Sequence, residues 1–245
     1  MKEESTRHPT VTEGDAVSEL SDETCEAARV LFGAGDPIGT SKQLLKLSVD
    51  TIEGCDFAGV LLINGAEIAV GVASHPPAVE VDSFQRASGE GPGIDAMADL
   101  VKVHSDELSH EVRWPAFRAV ASAAGVHSVL AFPIGTDGTL NLYSRHPGAF
   151  DTVGRAKGAI LASLAGYALS AARALGEAIR RADNLDKGLK GREIIGQAEG
   201  ILMERERITA GQAFDVLRRA SQHLNVKLHV VAQNLVETGE RPEFA

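Results

Sequence analysis

The sequence has little of what most enzymes and metal proteins require. Its two cysteines, Cys25 and Cys55, occur without a CxxC pair and without histidines at metal-ligand spacing. It contains no GxSxG nucleophile elbow, and the glycine-rich stretch GEGPG at 89–93 is not followed by Lys-Ser/Thr. We therefore expect no catalytic residues, no metal and no cofactor. Both cysteines are interpreted as small buried side chains in a reducing compartment.

Positive charge and long apolar runs are also scarce. The formal net charge is -10, which excludes a generally basic nucleic-acid coat but leaves room for a local basic surface. From Lys187 to Arg241 there are nine Lys and Arg against seven Asp and Glu, so this end is the least acidic. The N-terminal residues lack an apolar signal-peptide core, and no uncharged run is long and continuous enough to cross a membrane. We expect a cytoplasmic protein without a membrane partner.

Residues 20–150 have the pattern of an α+β domain. Apolar spacing predicts helices near Asp22–Phe32 and Lys42–Ile52. A strong turn at Asn64–Gly65 predicts a hairpin of two strands. The predicted strands are Phe57–Ile63, Glu67–Ala73, Leu100–His104, Val126–Ile134 and Thr139–Tyr143, with a helix between Pro115 and Gly125. We expect an antiparallel meander with flanking helices, and a mixed segment between His75 and the GEGPG loop.

A heptad pattern runs along the helix predicted after Gly154. Leu or Ala occupies nine consecutive a and d positions, which is the pattern of a close-packed coiled coil. These positions are Leu161, Leu164, Ala168, Ala171, Leu175, Ala178, Ala182, Leu185 and Leu189. Up to Leu175 the stripe fits packing on its own domain as well as pairing with another chain. For Ile179–Leu189, which has charged residues around it, we favour pairing with another chain.

The last segment predicts three short helices. The first is Arg192–Arg205, and the second begins at Thr209, which forms a capping-box spacing with Gln212. The third is roughly Leu228–Glu237. Arg and Gln side chains on the second helix suit phosphates and base edges, although a solvated surface helix gives the same pattern.

The order and spacing of residues in this segment resemble the ANTAR domain over about 187–237. The residues that carry the resemblance are Arg192, Ile195, Ala198, Gly200-Ile-Leu-Met203, Ala213-Phe214, Leu217-Arg218, Ala220 and Val231-Ala232. The resemblance implies a three-helix RNA-binding module of transcription antitermination regulators. Such modules dimerise through an upstream coiled coil, and the dimers bind paired RNA hairpins in nascent transcripts.

The preceding region, about 20–175, resembles a GAF sensor domain of the type fused to ANTAR in actinobacterial-type regulators. The resemblance rests on GEGPG-IDA, DELSHEVRWPAF, SVLAFPI and LNLYSRHPGAFD. It implies a possible small-molecule ligand. There is no bilin-bearing cysteine in these segments and no Asn-Lys-Phe-Asp-Glu set of the cyclic-nucleotide type, so the ligand stays open.

The resemblance implies RNA contacts from five residues, namely Gln197, Arg205, Arg218, Arg219 and Gln222. Glu199 departs from the family pattern, because many members carry Lys there. A carboxylate at that position repels phosphate, so we expect no RNA contact through it.

The prediction is a disordered segment 1–19, a GAF-like domain 20–160, a coiled-coil signalling helix 161–189 and an ANTAR domain 190–240. The expected function is RNA binding and antitermination by a homodimer under control of the sensor domain. Two alternatives stay open. One is a DNA-binding helix-turn-helix regulator, and the other is a sensor and dimerisation scaffold without RNA binding.

Overall fold

The computed structural model describes residues 13–64 and 67–240. The chain divides into an N-terminal unit, Met1–Leu175, and a C-terminal unit, Gly176–Ala245. The helices are α1 Glu13–Gly33, α2 Pro37–Thr51, α3 Pro76–Ser88, α4 Pro92–Asp99, α5 Pro115–Ala123, α6 Thr152–Glu206, α7 Ala210–Leu224 and α8 Leu228–Thr238. The strands are β1 Phe57–Asn64, β2 Glu67–Ala73, β3 Val103–Ser105, β4 Ser128–Pro133 and β5 Gly138–Ser144.

Among the described residues, five strands form one sheet in the order β2-β1-β5-β4-β3. All neighbouring strands pair antiparallel, as predicted. The predicted meander is wrong, because β1 pairs with both β2 and β5. β2 and β3 are consecutive in the chain but lie at opposite edges of the sheet. The segment containing α3 and α4 makes this crossover.

Both faces of the sheet are covered by helices. One face packs against α1, α2 and α6, with Val60, Leu140 and Leu142 in its core. The other packs against α3, α4 and α5, with Phe57 and Tyr143 in its core. Alternate residues of each strand point to opposite faces, so β1 and β5 contribute to both cores. The predicted α+β class is confirmed.

The sequence reading missed α3 and α4. The buried positions of α3 are Ala78, Val81, Asp82 and Gln85, which have helical spacing. Two of these four are polar, and this hid the apolar period. Both helices begin with proline in the first turn, where the missing N–H costs no hydrogen bond.

Helix α1 begins at Glu13, earlier than the predicted start at Asp22 and inside the segment 1–19 that was expected to be disordered. Residues 1–12 lie outside the described part of the chain. The hairpin of β1 and β2 is present, although its turn residues Gly65 and Ala66 also lie outside the described part.

Helix α6 is continuous from Thr152 to Glu206, so the separate helix predicted from Arg192 is wrong. Both predicted boundaries, 160/161 and 189/190, fall inside it. Gly188 and Gly191 do not end the helix, since an isolated glycine costs about 1 kcal/mol and stops a helix only with a left-handed cap. By length and composition α6 is also apolar enough to cross a membrane. Its apolar start is instead core, because Leu161, Ala165 and Leu169 are buried in the N-terminal unit.

The C-terminal unit consists of the end of α6, α7 and α8 around one apolar core. Thr209 caps α7, as predicted. Its backbone N–H donates to Gln212 Oε1 at 2.9 Å, and its hydroxyl accepts from the Gln212 N–H. Helices α7 and α8 end at left-handed residues, Asn225 and Gly239.

We expect Thr209→Ala to lower the stability of the C-terminal unit by about 1 kcal/mol, because the first turn of α7 loses its side-chain acceptor. Urea unfolding followed by helical circular dichroism measures this change. Thr209→Ser keeps the hydroxyl and serves as the matched control. Equal unfolding of the alanine and serine variants would contradict a stabilising cap.

Candidate functional site

Helix α7 has one buried face and one exposed polar face. Ala213, Val216, Leu217 and Ala220 are buried in the core of the C-terminal unit. The exposed face carries mainly charged and amide side chains, namely Asp215, Arg218, Arg219 and Gln222. This face is the candidate RNA-binding surface.

Three of the five predicted RNA-contacting residues lie together on this face. Arg218 and Gln222 are one turn apart, as predicted from their spacing. An Arg218 Nη donates to the Asp215 carboxylate at 2.7 Å, and Arg219 Nε donates to the Asp215 carbonyl at 3.3 Å. Because all of these side chains are exposed, the ion pair contributes little to stability and leaves Arg218 free to exchange partners.

The other two predicted residues, Gln197 and Arg205, lie on α6 and are exposed. The Arg205 guanidinium donates to the Gly239 carbonyl at the C-terminal end of α8. Basic side chains favour this position because the end of a helix carries unpaired carbonyls and partial negative charge. Arg205 therefore has a structural contact that sequence reasoning did not predict. Glu199 is partly buried on the same helix.

The heptad stripe on α6 changes environment along its length. Leu161 and Ala168 are buried in the core of the N-terminal unit, and Leu164 packs against it. From Ala171 onward the remaining predicted positions are exposed; they are Ala171, Leu175, Ala178, Ala182, Leu185 and Leu189. Leu185 is 69% exposed and Leu189 65%. The first part of the stripe is therefore domain core, and the second is an unpaired apolar seam.

The turn between β4 and β5 is bonded to α6 where this seam begins. Asp137 accepts hydrogen bonds from the side chains of Arg173 and Ser170, the latter at 3.2 Å. The same residue is tied to the sheet, because its carbonyl accepts from the Ile63 N–H at 2.8 Å. Asp137 thus connects the sheet of the N-terminal unit to its last helix.

A buried polar cluster lies between α3 and β5 in the N-terminal unit. Three donors converge on Asp82 Oδ1: Tyr143 Oη at 2.5 Å, Asn141 Nδ2 at 2.8 Å and Gln85 Nε2 at 3.1 Å. Gln85 Nε2 also donates to Tyr143 Oη at 2.8 Å. All four residues are fully buried. Sequence reasoning missed this cluster, although a lone Asn in the apolar run TLNLY was a signal.

Some buried polar atoms in and beside this cluster have no hydrogen-bond partner in the part of the chain that the structure describes. Asp82 Oδ2, Asn141 Oδ1 and Thr139 Oγ1 are buried and accept or donate no hydrogen bond within the described residues. Burial raises the pKa of Asp82 to about 6, against the lowering effect of the three donors. Burial and the facing Asp82 carboxyl raise the pKa of Tyr143 well above its usual value.

The GEGPG loop packs on this cluster. The Gly93 N–H donates to Gln85 Oε1 at 2.7 Å. A Cβ on Gly91 would lie 2.5 Å from Gln85 Oε1, and one on Gly93 would lie 2.6 Å from Asn141 Oδ1. The glycines are therefore needed for close approach to buried side chains, which is the role of a tight turn and not of a phosphate loop.

Trp114 is a packing anchor, being 2% exposed and donating from Nε1 to Asp95 Oδ2 at 2.8 Å. Arg113 lies over its ring at 4.1 Å and binds Glu111 through two nitrogens. This pairing lowers the pKa of Glu111 to about 2. Within residues 13–64 and 67–240 no group of His, Cys, Asp and Glu is arranged to hold a metal ion.

Residues 183–236 match the family model of the ANTAR domain. The match includes the end of α6, all of α7 and nearly all of α8, and thus the candidate RNA-binding surface. ANTAR domains are an RNA-binding family of antitermination regulators. No curated protein matches the chain.

The chain is also similar to solved structures. A free methionine-R-sulfoxide reductase from Neisseria meningitidis matches with 14% identity over 69% of this chain and 98% of its own, at a TM-score of 0.51. A bacteriophytochrome from R. palustris matches with 12% identity over 89% of this chain and 48% of its own, at 0.54. The GAF domain of an Acinetobacter phosphoenolpyruvate-protein phosphotransferase matches with 12% identity over 64% of this chain and 95% of its own, at 0.49.

At these identities the neighbours inform on the fold alone. The N-terminal part shares its fold with the reductase and the bacteriophytochrome, and a segment that matches the ANTAR domain follows it. The predicted order of a GAF-like fold followed by an ANTAR domain is confirmed.

We expect Asp82→Asn to remove a pH dependence of stability. Below about pH 3 the carboxyl is largely protonated in both states. As the pH rises from about 3 to 6, the unfolded chain releases this proton first because the folded pKa is raised, so folding loses stability. The shift corresponds to about 3 kcal/mol. The stability of Asp82→Asn relative to the natural protein should therefore increase by about that amount between pH 4 and pH 7.

Trp114 fluorescence during urea unfolding measures this effect in the N-terminal unit, since Trp114 is the only tryptophan. Asp99→Asn, which removes an exposed carboxyl from α4, is the matched control. Parallel pH curves for the natural protein and Asp82→Asn would show that the buried carboxyl does not titrate in this range.

Proposed function

We propose that this protein is a cytoplasmic regulator that binds structured RNA through residues 183–236 and promotes transcription antitermination. The observation that carries the proposal is the ANTAR match, which includes a helix with an exposed face of Arg and Gln side chains. The N-terminal unit controls this activity as a sensor. The mechanism is occlusion by binding: RNA held as paired hairpins is kept from forming a terminator, and no covalent chemistry is involved.

The RNA contacts come mainly from α7. Arg218 and Arg219 bind phosphates, and Gln222 binds a phosphate or a base edge one turn further along. Arg205 contributes less, because its guanidinium already binds the end of α8. Glu199 repels phosphate and confines the contact to the surface of α7.

A DNA-binding helix-turn-helix function is the less supported alternative. The third helix of the unit, α8, would have to enter the major groove, where basic and amide side chains read bases. Helix α8 carries no Lys or Arg between Leu228 and Thr238, and it buries Val231, Ala232 and Leu235. Its composition favours packing over recognition.

A homodimer forms through the unpaired seam of α6. Residues 177–190 are exposed throughout, and the seam puts Leu185 and Leu189 in water. Each exposed leucine that becomes buried contributes about 1.5–3 kcal/mol. Two chains paired here present two ANTAR domains, which suits the paired hairpins that the family binds. In the scaffold alternative the two chains also pair through this seam, but the dimer binds no RNA.

The sensor input acts on the buried polar cluster. A small molecule, or a change in the protonation of Asp82, alters the contact between α3 and β5. Strand β5 follows the turn that holds Asp137, and Asp137 binds Arg173 and Ser170 of α6. The signal then reaches the RNA-binding unit along α6.

Replacing both Arg218 and Arg219 with alanine should weaken RNA binding and reduce the salt slope of log K by about 1–2, since each lost phosphate contact contributes slightly less than one. Filter binding to paired-hairpin leader RNA at several salt concentrations measures both. The matched control is Arg180→Ala with Arg181→Ala, which removes the same charge outside the ANTAR match. An unchanged affinity and slope in the test variant would exclude this surface.

Leu185→Glu with Leu189→Glu should convert the dimer to a monomer, because each of the two paired helices then carries two charges in the apolar seam. Sedimentation equilibrium measures the association. Asn184→Glu with Lys187→Gln changes the net charge by the same amount off the seam and should leave the dimer intact. If both variants remain dimeric, the contact between chains lies elsewhere.

A further inference from the structure

Phe214 is an exposed aromatic residue on the candidate RNA-binding surface. It is the only Phe, Tyr or Trp among the described residues of the C-terminal unit, and it is 40% exposed. Its neighbours Ala213, Val216 and Leu217 form the core of the unit, whereas Phe214 is not part of that core. The stability of the three-helix core therefore gives no reason for an aromatic ring here.

The surroundings of Phe214 are open on one side and polar on the other. Gly211 lies one turn before it and has no side chain, and apart from its two chain neighbours and the helix backbone no atom lies within 4 Å of where its Cβ would be. The helix surface on the N-terminal side of Phe214 is therefore uncovered. Arg218 lies one helical turn after Phe214, and Gln222 lies one turn after Arg218. The Cβ atoms of residues one turn apart are separated by about 6 Å.

This combination suits a nucleotide better than a protein partner. A protein interface would extend an apolar patch along the helix, yet the face continues with Asp215, Arg218 and Gln222. An unpaired base offers a flat π-face to an aromatic ring, a phosphate to an arginine and polar edges to an amide. The Arg218–Asp215 pair is exposed and weak, so Arg218 can change from Asp215 to a phosphate at little cost.

We propose that Phe214 is a stacking platform for one unpaired base of the bound RNA, with Arg218 on the adjoining phosphate. The inference rests on the proposed RNA binding and adds a preference for unpaired loops over plain duplex. Phosphate contacts alone do not distinguish these two, since both present the same backbone charge.

Replacing Phe214 tests the platform in the full-length protein. The probes are hairpin RNAs with randomised unpaired loops and a blunt duplex of the same stem. Phe214→Leu keeps an apolar side chain but removes the π-face, and it should weaken hairpin binding about tenfold, within the range measured for base–aromatic stacking. Binding to the duplex and the salt slope should not change. Phe214→Trp keeps the platform and should bind hairpins about as tightly as the natural protein.

The outcomes separate this inference from the proposed function. If Phe214→Leu binds hairpins as tightly as the natural protein while Arg218→Ala with Arg219→Ala binds them weakly, RNA binding stands and the platform is wrong. If the natural protein binds neither probe, the proposed function fails and the platform with it. If Phe214→Leu dissociates the dimer in sedimentation, Phe214 is a contact between two chains, and stacking is overturned.

Discussion

The uninterrupted hydrogen bonding of α6 is the feature on which both units depend. Leu161, Ala165 and Leu169 of this helix complete one core of the N-terminal unit, and Ala198 and Leu202 complete that of the C-terminal unit. Each core is incomplete without it. Between these two parts the helix has no buried residue from 177 to 190. In proteins, helices gain most of their stability from tertiary packing and less from intrinsic helix propensity. We therefore expect an exposed stretch with leucines at heptad positions to pack against another helix.

The second constraint is the buried polar cluster around Asp82. Burying a carboxyl is costly, and its cost is offset only when donors surround it. Here the three donors bind one oxygen, and the other oxygen faces the backbone of Gly59, where a Cβ would lie 1.8 Å away. A sheet packed with apolar residues at these positions would be simpler to stabilise. Small changes in charge or contact alter the free energy of an incompletely satisfied buried carboxyl strongly, and the proposed sensor input is placed here for that reason.

The accuracy of the sequence predictions depended on whether local physics determines the feature. Thr209 and Gln212 define a helix start by themselves, and that prediction held. Four of the five strands were placed well because turn residues bound them, whereas the strand predicted at Leu100–His104 is Val103–Ser105, since Leu100 is the left-handed cap of α4. Helix α3 was missed because Asp82 and Gln85 are buried for a tertiary reason that no local pattern shows. The break expected before Arg192 was wrong, since glycine weakens a helix without ending it. Arg205 was expected on an RNA surface, and its bond to Gly239 depends on how α8 folds back.

The resemblance to known families supplied what residue patterns alone left open. Periodicity near the C-terminus predicts three helices, which fit DNA-binding, RNA-binding and scaffold proteins alike. The exposed face of α7 reduces these alternatives, because it concentrates Arg and Gln while α8 has neither Lys nor Arg. Phe214 was part of the family resemblance, yet its exposure became evident only when the core of the unit was seen to form without it.

Charge limits how this small module can bind RNA. Lys187–Arg241 carries a net charge of only +2, and the remainder of the chain is strongly acidic. Few phosphates can be neutralised, so counterion release provides a modest part of the affinity. The rest has to come from contacts that do not depend on net charge, such as stacking on an aromatic ring, and from two modules acting on one RNA. The proposed dimer would provide the second module without adding to the charge of each one. The acidic composition therefore fits a protein that recognises the shape of a pair of hairpins, and a single α7 surface is expected to bind weakly by itself.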